Sequence, residues 1–143
     1  MTYTFQNPSE EVIESYLKSA KTMAIVGLSH RKETAAYQVA HFLKTAGYRI
    51  VPVNPKLEGQ EILGEHVYGQ LKDIPFSVDI VDVFRRSDFL PDVASDFLEA
   101  DAKVFWSQIG IENEEAEIML RQAGHQDIVM NRCTKIEYMR LFV

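Results

Sequence analysis

Short apolar runs alternate with longer amphipathic ones from end to end of the 143-residue chain, and few architectures accept that order. Ser9, followed by Glu10 and Glu11, reads as the cap of a helix with Val12, Ile13, Tyr16 and Leu17 on one face, because acidic residues suit the positive end of a helix dipole. Thr22 to Gly27 is an apolar run ending in glycine, a buried strand. A helix from about Thr34 to Ala46 turns Val39, Ala40, Phe42 and Leu43 inward and stops at Gly47. Tyr48 to Asn54 is a second strand, and Pro52 predicts an irregular ladder near its end because proline donates no backbone hydrogen bond. Gly59 to Gly69 reads as loop, with at most a short strand at Glu61-Ile62-Leu63, then a helical turn through Leu71. A strand over Val78–Phe84, a helix from about Ser87 to Ala100, a strand over Ala102–Gln108, a helix over Glu112–Ala123, a strand over Asp127–Asn131 and a closing helix over Thr134–Phe142 complete the series.

This order predicts an α/β fold: a Rossmann-like, doubly wound, mainly parallel sheet of five or six strands with helices on both faces. One domain over residues 1–143 is expected, since the chain suffices for one core and carries no repeat, low-complexity tract or linker. Hydrophobic residues at 46% and charged residues at 25% fit a globular protein rather than a disordered one. The start lacks the basic and apolar segments of a signal peptide, and no run is long enough to cross a bilayer. A single cysteine, Cys133, suits a reducing compartment, so the cytoplasm is expected. A net charge of -6 argues against nonspecific nucleic-acid binding.

Ligands of such sheets sit at the carboxyl ends of the strands. Those ends carry Gly27-Leu28-Ser29-His30-Arg31-Lys32, Asn54-Pro55-Lys56, Arg85-Arg86-Ser87, Gln108-Ile109-Gly110 and Arg132-Cys133. An acidic chain thus gathers Arg31, Lys32, Lys56, Arg85, Arg86 and Arg132 along one edge. Solubilising loop charges would explain one such cluster; several together favour a phosphorylated ligand, held by Gly27's tight turn, backbone N–H groups and guanidinium forks. The glycine loop does not match G-x-G-x-x-G, and Lys56 stands near where NAD sites place a carboxylate. A lysine there suits an extra ribose phosphate, which coenzyme A and NADP both have.

The segments Ala24–Ser29, Tyr37-Gln38-Val39-Ala40, Gly47–Lys56, Val81–Ser87, Trp106–Gly110 and Met130–Cys133 resemble the small bacterial CoA-binding proteins. That family is similar to the CoA-binding domain of the succinyl-CoA synthetase alpha subunit. The resemblance implies a coenzyme A site. Gly27, Leu28 and Ser29 would line the pyrophosphate and adenosine region, with Tyr37 in a matching segment. Asn54, Pro55 and Lys56 would meet the ribose and its phosphate, and Phe84, Arg85 and Arg86 would flank adenine and phosphates. Gln108 and Cys133 would lie toward the pantetheine arm. Ala36 and Ser107 depart from the family's usual serine and bulky apolar residue.

No catalytic residue is assigned. His30, His41, His66 and His125 pair with no Cys, Asp or Glu at a metal-ligand spacing; His41 reads as a helix-face residue, His66 and His125 as loop residues. Asp82 interrupts an apolar strand and reads first as structural support, second as a general base. Cys133 reads first as a small buried residue, second as a reactive thiol beside Arg132 at a helix start, able to form a mixed disulfide with coenzyme A. The expected function is therefore binding of CoA or an acyl-CoA, with no membrane or nucleic-acid partner. The alternatives are an NADP-dependent oxidoreductase and an interaction protein with a vestigial pocket.

Overall fold

The computed structural model describes residues 3–143. Five strands, β1 (Thr22–Val26), β2 (Arg49–Val53), β5 (Val78–Val83), β6 (Ala102–Ser107) and β7 (Ile128–Val129), form one sheet in the order β2-β1-β5-β6-β7, every pair parallel. Outside β2, Tyr68 makes a lone parallel bridge to Val53. Tyr68 N–H donates to the Pro52 carbonyl and its own carbonyl accepts from Asn54 N–H. Counting that bridge as a vestigial third strand gives the Rossmann order 3-2-1-4-5-6. The strands are apolar on both faces because both faces are covered.

One face packs on α1 (Glu10–Ser19), α2 (Ala35–Thr45) and α5 (Thr134–Phe142), through Ile13, Leu17, Val39, Leu43, Ile80 and Trp106. The other packs on α3 (Leu90–Leu98) and α4 (Glu114–Gln122), through Val81, Leu90, Val93, Phe97 and Leu120. Ser9, Thr34 and Asn113 cap α1, α2 and α4 by accepting from Val12, Tyr37 and Ala116 N–H. The short edge strand β7 is covered where Asn7 bonds both N–H and C=O of Met130, at 3.1 and 2.8 Å.

Several sequence-based expectations change. The ladder stays regular through Pro52, which pairs with Ile25. Proline's nitrogen lies on the same side as its carbonyl, and that carbonyl faces outward to Tyr68, so no bond to β1 is lost. The segment read as loop holds a hairpin, β3 (Glu61–Ile62) and β4 (Glu65–His66), turned by Leu63 and Gly64 with φ of 53° and 79°. His66 is thus a strand residue. Val12 lies 37% exposed rather than in the core, and Glu112 precedes α4 rather than starting it. Among the described residues, no helix is long and apolar enough to cross a membrane.

Candidate functional site

Strand order reverses between β1 and β5, and there the backbone opens a crevice at the carboxyl ends. Gly27 N–H donates to Val53 O and Phe84 N–H to Val26 O, so three strand ends meet. Gly27 has φ +96°, and a Cβ there would come within 3.0 Å of the Phe84 carbonyl oxygen. Glycine is required on both counts.

A groove of about 280 Å³ follows, lined by Val26, Gly27, Asn54, Pro55, Lys56 and Arg85. The side chain of Asn54 shapes it: Nδ2 donates to the Leu28 carbonyl at 3.1 Å, and Oδ1 accepts from Lys56 N–H at 3.0 Å. These bonds tie the loop after β1 to the turn after β2. Lys56 and Arg85 pair with no carboxylate among the described residues, and the Arg85 guanidinium stacks 4.4 Å from the centre of the Phe89 ring. Beside it a second cavity of about 250 Å³ continues past Val53, Gly69, Gln70 and Val93 toward Asp96. The Asp96 carboxylate is already bonded to Leu71 and Lys72 N–H.

Across the end of β5 lies an apolar groove of about 310 Å³, lined by Ala35, Val39, Phe84, Gln108, Ile109, Ile111, Cys133 and Ile136. Its Gln108 wall is backed by a buried polar cluster. Asp82 is fully buried, with Oδ1 accepting from Gln108 Nε2 at 2.6 Å and Oδ2 from Thr134 Oγ1 at 2.7 Å. Gln108 Nε2 also reaches Thr134 Oγ1 at 3.1 Å. Burial raises the Asp82 carboxyl to about 7, although both hydrogen bonds favour the ionised form. The loop after β6 is held by Ser107 Oγ donating to Ile111 O and by Asn131 Oδ1 accepting from Gly110 N–H. Ser87 joins it to the end of β5, accepting from Glu112 N–H. Ser107, where the family commonly has a bulkier residue, therefore builds the loop.

Of the residues picked from sequence, Gly27, Asn54, Pro55, Lys56 and Arg85 share the cationic groove, and Phe84, Gln108 and Cys133 share the apolar one. Leu28 lies between as a fully buried side chain with only its carbonyl engaged in the loop. Ser29 Oγ accepts from Arg31 N–H. Arg31 and Arg86 are exposed and paired to Glu33 and Asp88, and Arg132 approaches Glu137 at 4.0 Å. Lys32 and Tyr37 line a separate recess with His41 and Lys135 on the outer side of α2 and α5. The continuation along α3 and the apolar walls were missed, because Val93 and Val39 look in sequence like ordinary core positions. An isoleucine set between Gln108 and Gly110 in the loop after β6 was the available signal, and Ile109 does stand 60% exposed.

Fold and crevice define a Rossmann-like protein with a cationic cleft at its switch point and a separate apolar groove across the end of β5. The model of the CoA binding domain family matches residues 21–139, and the chain belongs to that family. The chain is 45% identical over 133 residues to the protein YneT of Bacillus subtilis (strain 168), covering 93% of this chain and 96% of the relative. A solved protein of Thermus thermophilus superposes with a TM-score of 0.89 at 36% identity, over 94% of this chain and 100% of that one. A solved Pyrococcus horikoshii OT3 protein gives 0.89 at 34% identity, over the whole of both chains.

Proposed function

We propose that the protein binds coenzyme A or an acyl-CoA across the end of β5, as a binding module. The observation that carries this reading is that two unlike grooves flank the end of β5, lined by the consecutive residues Phe84 and Arg85, one holding carboxylate-free Lys56 and Arg85, the other apolar and ending at Cys133. A ligand that is a phosphorylated nucleotide at one end and a long, uncharged thiol-tipped arm at the other matches both. The ribose phosphate and pyrophosphate lie against Lys56, Arg85 and the Gly27 turn, where charge-assisted hydrogen bonds are strong. The β1–α2 loop adds the N-terminus of α2, whose first turn carries no acidic residue. The arm runs over Phe84 and Ile109 toward Cys133.

Calorimetry with coenzyme A, dephospho-coenzyme A, NADP and NAD tests the assignment. Coenzyme A should bind most tightly, and loss of the ribose phosphate should weaken it by about tenfold, as expected for one charge-assisted contact. Lys56→Ala should shrink that difference. Equal affinity for the two CoA forms removes the phosphate role given to Lys56.

At the far end, Cys133 is half-buried and borders the channel. Its thiolate attacks coenzyme A disulfide, forming a protein–CoA mixed disulfide and releasing one molecule of coenzyme A as the thiolate leaving group. Intact mass after treatment with that disulfide should show one CoA adduct that reductant removes. The same adduct on Cys133→Ser places the reaction elsewhere.

A further inference from the structure

The most unusual group in the molecule is the Asp82 carboxylate. It is fully buried in the middle of a parallel sheet, and among the described residues it has no cationic partner; its hydrogen bonds come from the neutral Gln108 and Thr134. The main chain around it is already in register, Asp82 pairing with Ile25 of β1 and Trp106 of β6. A carboxylate that did no more than fill space would be replaced to advantage by an apolar residue, since desolvating it costs several kcal/mol (roughly) before its bonds are counted. What it does reach is Gln108.

Gln108 is 5% exposed and lines the apolar groove. Its Nε2 is committed inward, to Asp82 at 2.6 Å and Thr134 at 3.1 Å. An ionised carboxylate only accepts, so it takes the N–H₂ end of the amide and leaves Oε1 as the end turned away. No donor among the described residues bonds that oxygen; of the walls around it, Val39, Phe84, Ile109 and Ile136 offer none, and the Cys133 thiol is a weak donor only. An acceptor with no partner in an apolar channel is a recognition element for an N–H group on whatever lies there.

We propose that Asp82 is a positioning residue that sets the hydrogen-bonding polarity of the channel: acting through Gln108, it presents a carbonyl oxygen to an amide N–H of the ligand's arm. This rests on the coenzyme A reading, whose pantetheine arm carries two secondary amides. A proton on Asp82 Oδ1, the oxygen that faces Gln108, reverses the arrangement. The carboxyl then holds a donor, the Gln108 amide turns over to accept it, and N–H₂ faces the channel, where it no longer meets the arm's N–H. The elements packed over Asp82 bring few other titrating groups. α1 and α2 contribute the apolar Ile13, Leu17, Ala36, Val39 and Ala40, with the phenols Tyr16 and Tyr37, and Tyr138 of α5, packed against the same layer. α5 contributes Cys133 beside Thr134 and, one turn on, Glu137, which is held by Arg140 and approached by Arg132.

The test is a titration of wild-type protein, kept reduced, with three ligands: coenzyme A, adenosine 3′,5′-bisphosphate, which lacks the arm, and coenzyme A analogues in which each arm amide N–H in turn is replaced by an ester oxygen. At about pH 8 one ester analogue should bind about tenfold more weakly than coenzyme A, the effect of one orphaned buried acceptor. Between about pH 8 and about pH 6 the affinity of coenzyme A relative to the bisphosphate should fall, and the ester penalty with it. Asp82→Asn, which accepts and donates alike, should bind the bisphosphate as wild type does and make the coenzyme A ratio independent of pH. Ester analogues that bind as tightly as coenzyme A at both pH values, or an unchanged pH profile in Asp82→Asn, overturn the proposal while leaving the coenzyme A reading intact. If neither coenzyme A nor the bisphosphate binds, the parent reading fails and this one with it.

Discussion

Asp82 also makes a prediction about stability that needs no ligand. Its carboxyl titrates near 4 when exposed and is raised to about 7 by burial in the folded protein. The folded state therefore holds the proton more tightly than the unfolded state does. The contribution to stability is fully present below the unfolded value and is lost as pH rises through about 7. Asparagine is neutral throughout and of the same shape, its carbonyl accepting from Gln108 and its N–H₂ donating to Thr134 Oγ1 where the carboxylate accepted, so Asp82→Asn should melt higher than wild type at about pH 8 and lose much of that advantage by about pH 5. The difference should approach about 2 kcal/mol, discounted from the full linkage for relaxation around the site. A constant gap between the two melting curves across this window would mean that Asp82 does not titrate there. In sequence, position 82 was visible only as a charge interrupting an apolar strand. Its partners lie 26 and 52 residues away, at the ends of another strand and a helix, and no local pattern announces them. Gly27 was more legible, because a glycine that ends an apolar run and opens a loop has a local reason to be there; only the 3.0 Å approach to Phe84 O, a residue far along the chain, had no local trace.

At the scale of elements, the start of α5 separates chemistry from stability. Cys133 occupies the N-cap position with extended backbone, φ -91° and ψ 122°, and its side chain makes no capping bond. Serine there can accept from an N–H of the first turn, as Ser9 and Thr34 do for α1 and α2. Cys133→Ser should therefore raise stability by about 0.5–1 kcal/mol in urea unfolding, while removing the CoA adduct. A stabilised protein without adduct distinguishes a thiol kept for chemistry from one kept for packing; a destabilised one favours packing. Most elements were readable because each buries an apolar stripe with the period of its own geometry, and the span of α5 in sequence, Thr134–Phe142, is the span observed. The exceptions have physical causes. The β3–β4 hairpin lies outside the main sheet and buries one residue, Ile62, so it leaves no apolar run to read. Pro52 breaks nothing because β2 has only a vestigial neighbour on the side its nitrogen faces. β7 is two residues long, shorter than its apolar run, because Met130 turns to Asn7 and Asn131 adopts φ 62° to bond Gly110.

At the scale of the whole molecule, an anionic protein is being asked to hold an anionic ligand, and magnitudes decide the contest. The formal charge is -6. Six charges spread at about 15 Å in water repel each unit of ligand charge by roughly 0.3 kcal/mol once physiological salt screens them, whereas one cation at about 4 Å, in an effective dielectric of about 20, attracts it by up to about 4 kcal/mol. Local contacts therefore win over net charge, provided that the groove cations are not already neutralised. Sequence clustering gathered six basic residues along the edge; three of these arginines already face carboxylates and Lys32 lies in another recess, which leaves Lys56 and Arg85. Salt should then act through those two. Raising ionic strength from about 0.05 to about 0.5 M should weaken coenzyme A binding, and more steeply than it weakens dephospho-coenzyme A, because the missing phosphomonoester carries about -1.5 to -2 charge. Lys56→Ala should bring the two slopes together. Affinity that rises with salt would mean the molecule's overall charge outweighs its cleft, and that Lys56 and Arg85 do not hold phosphate.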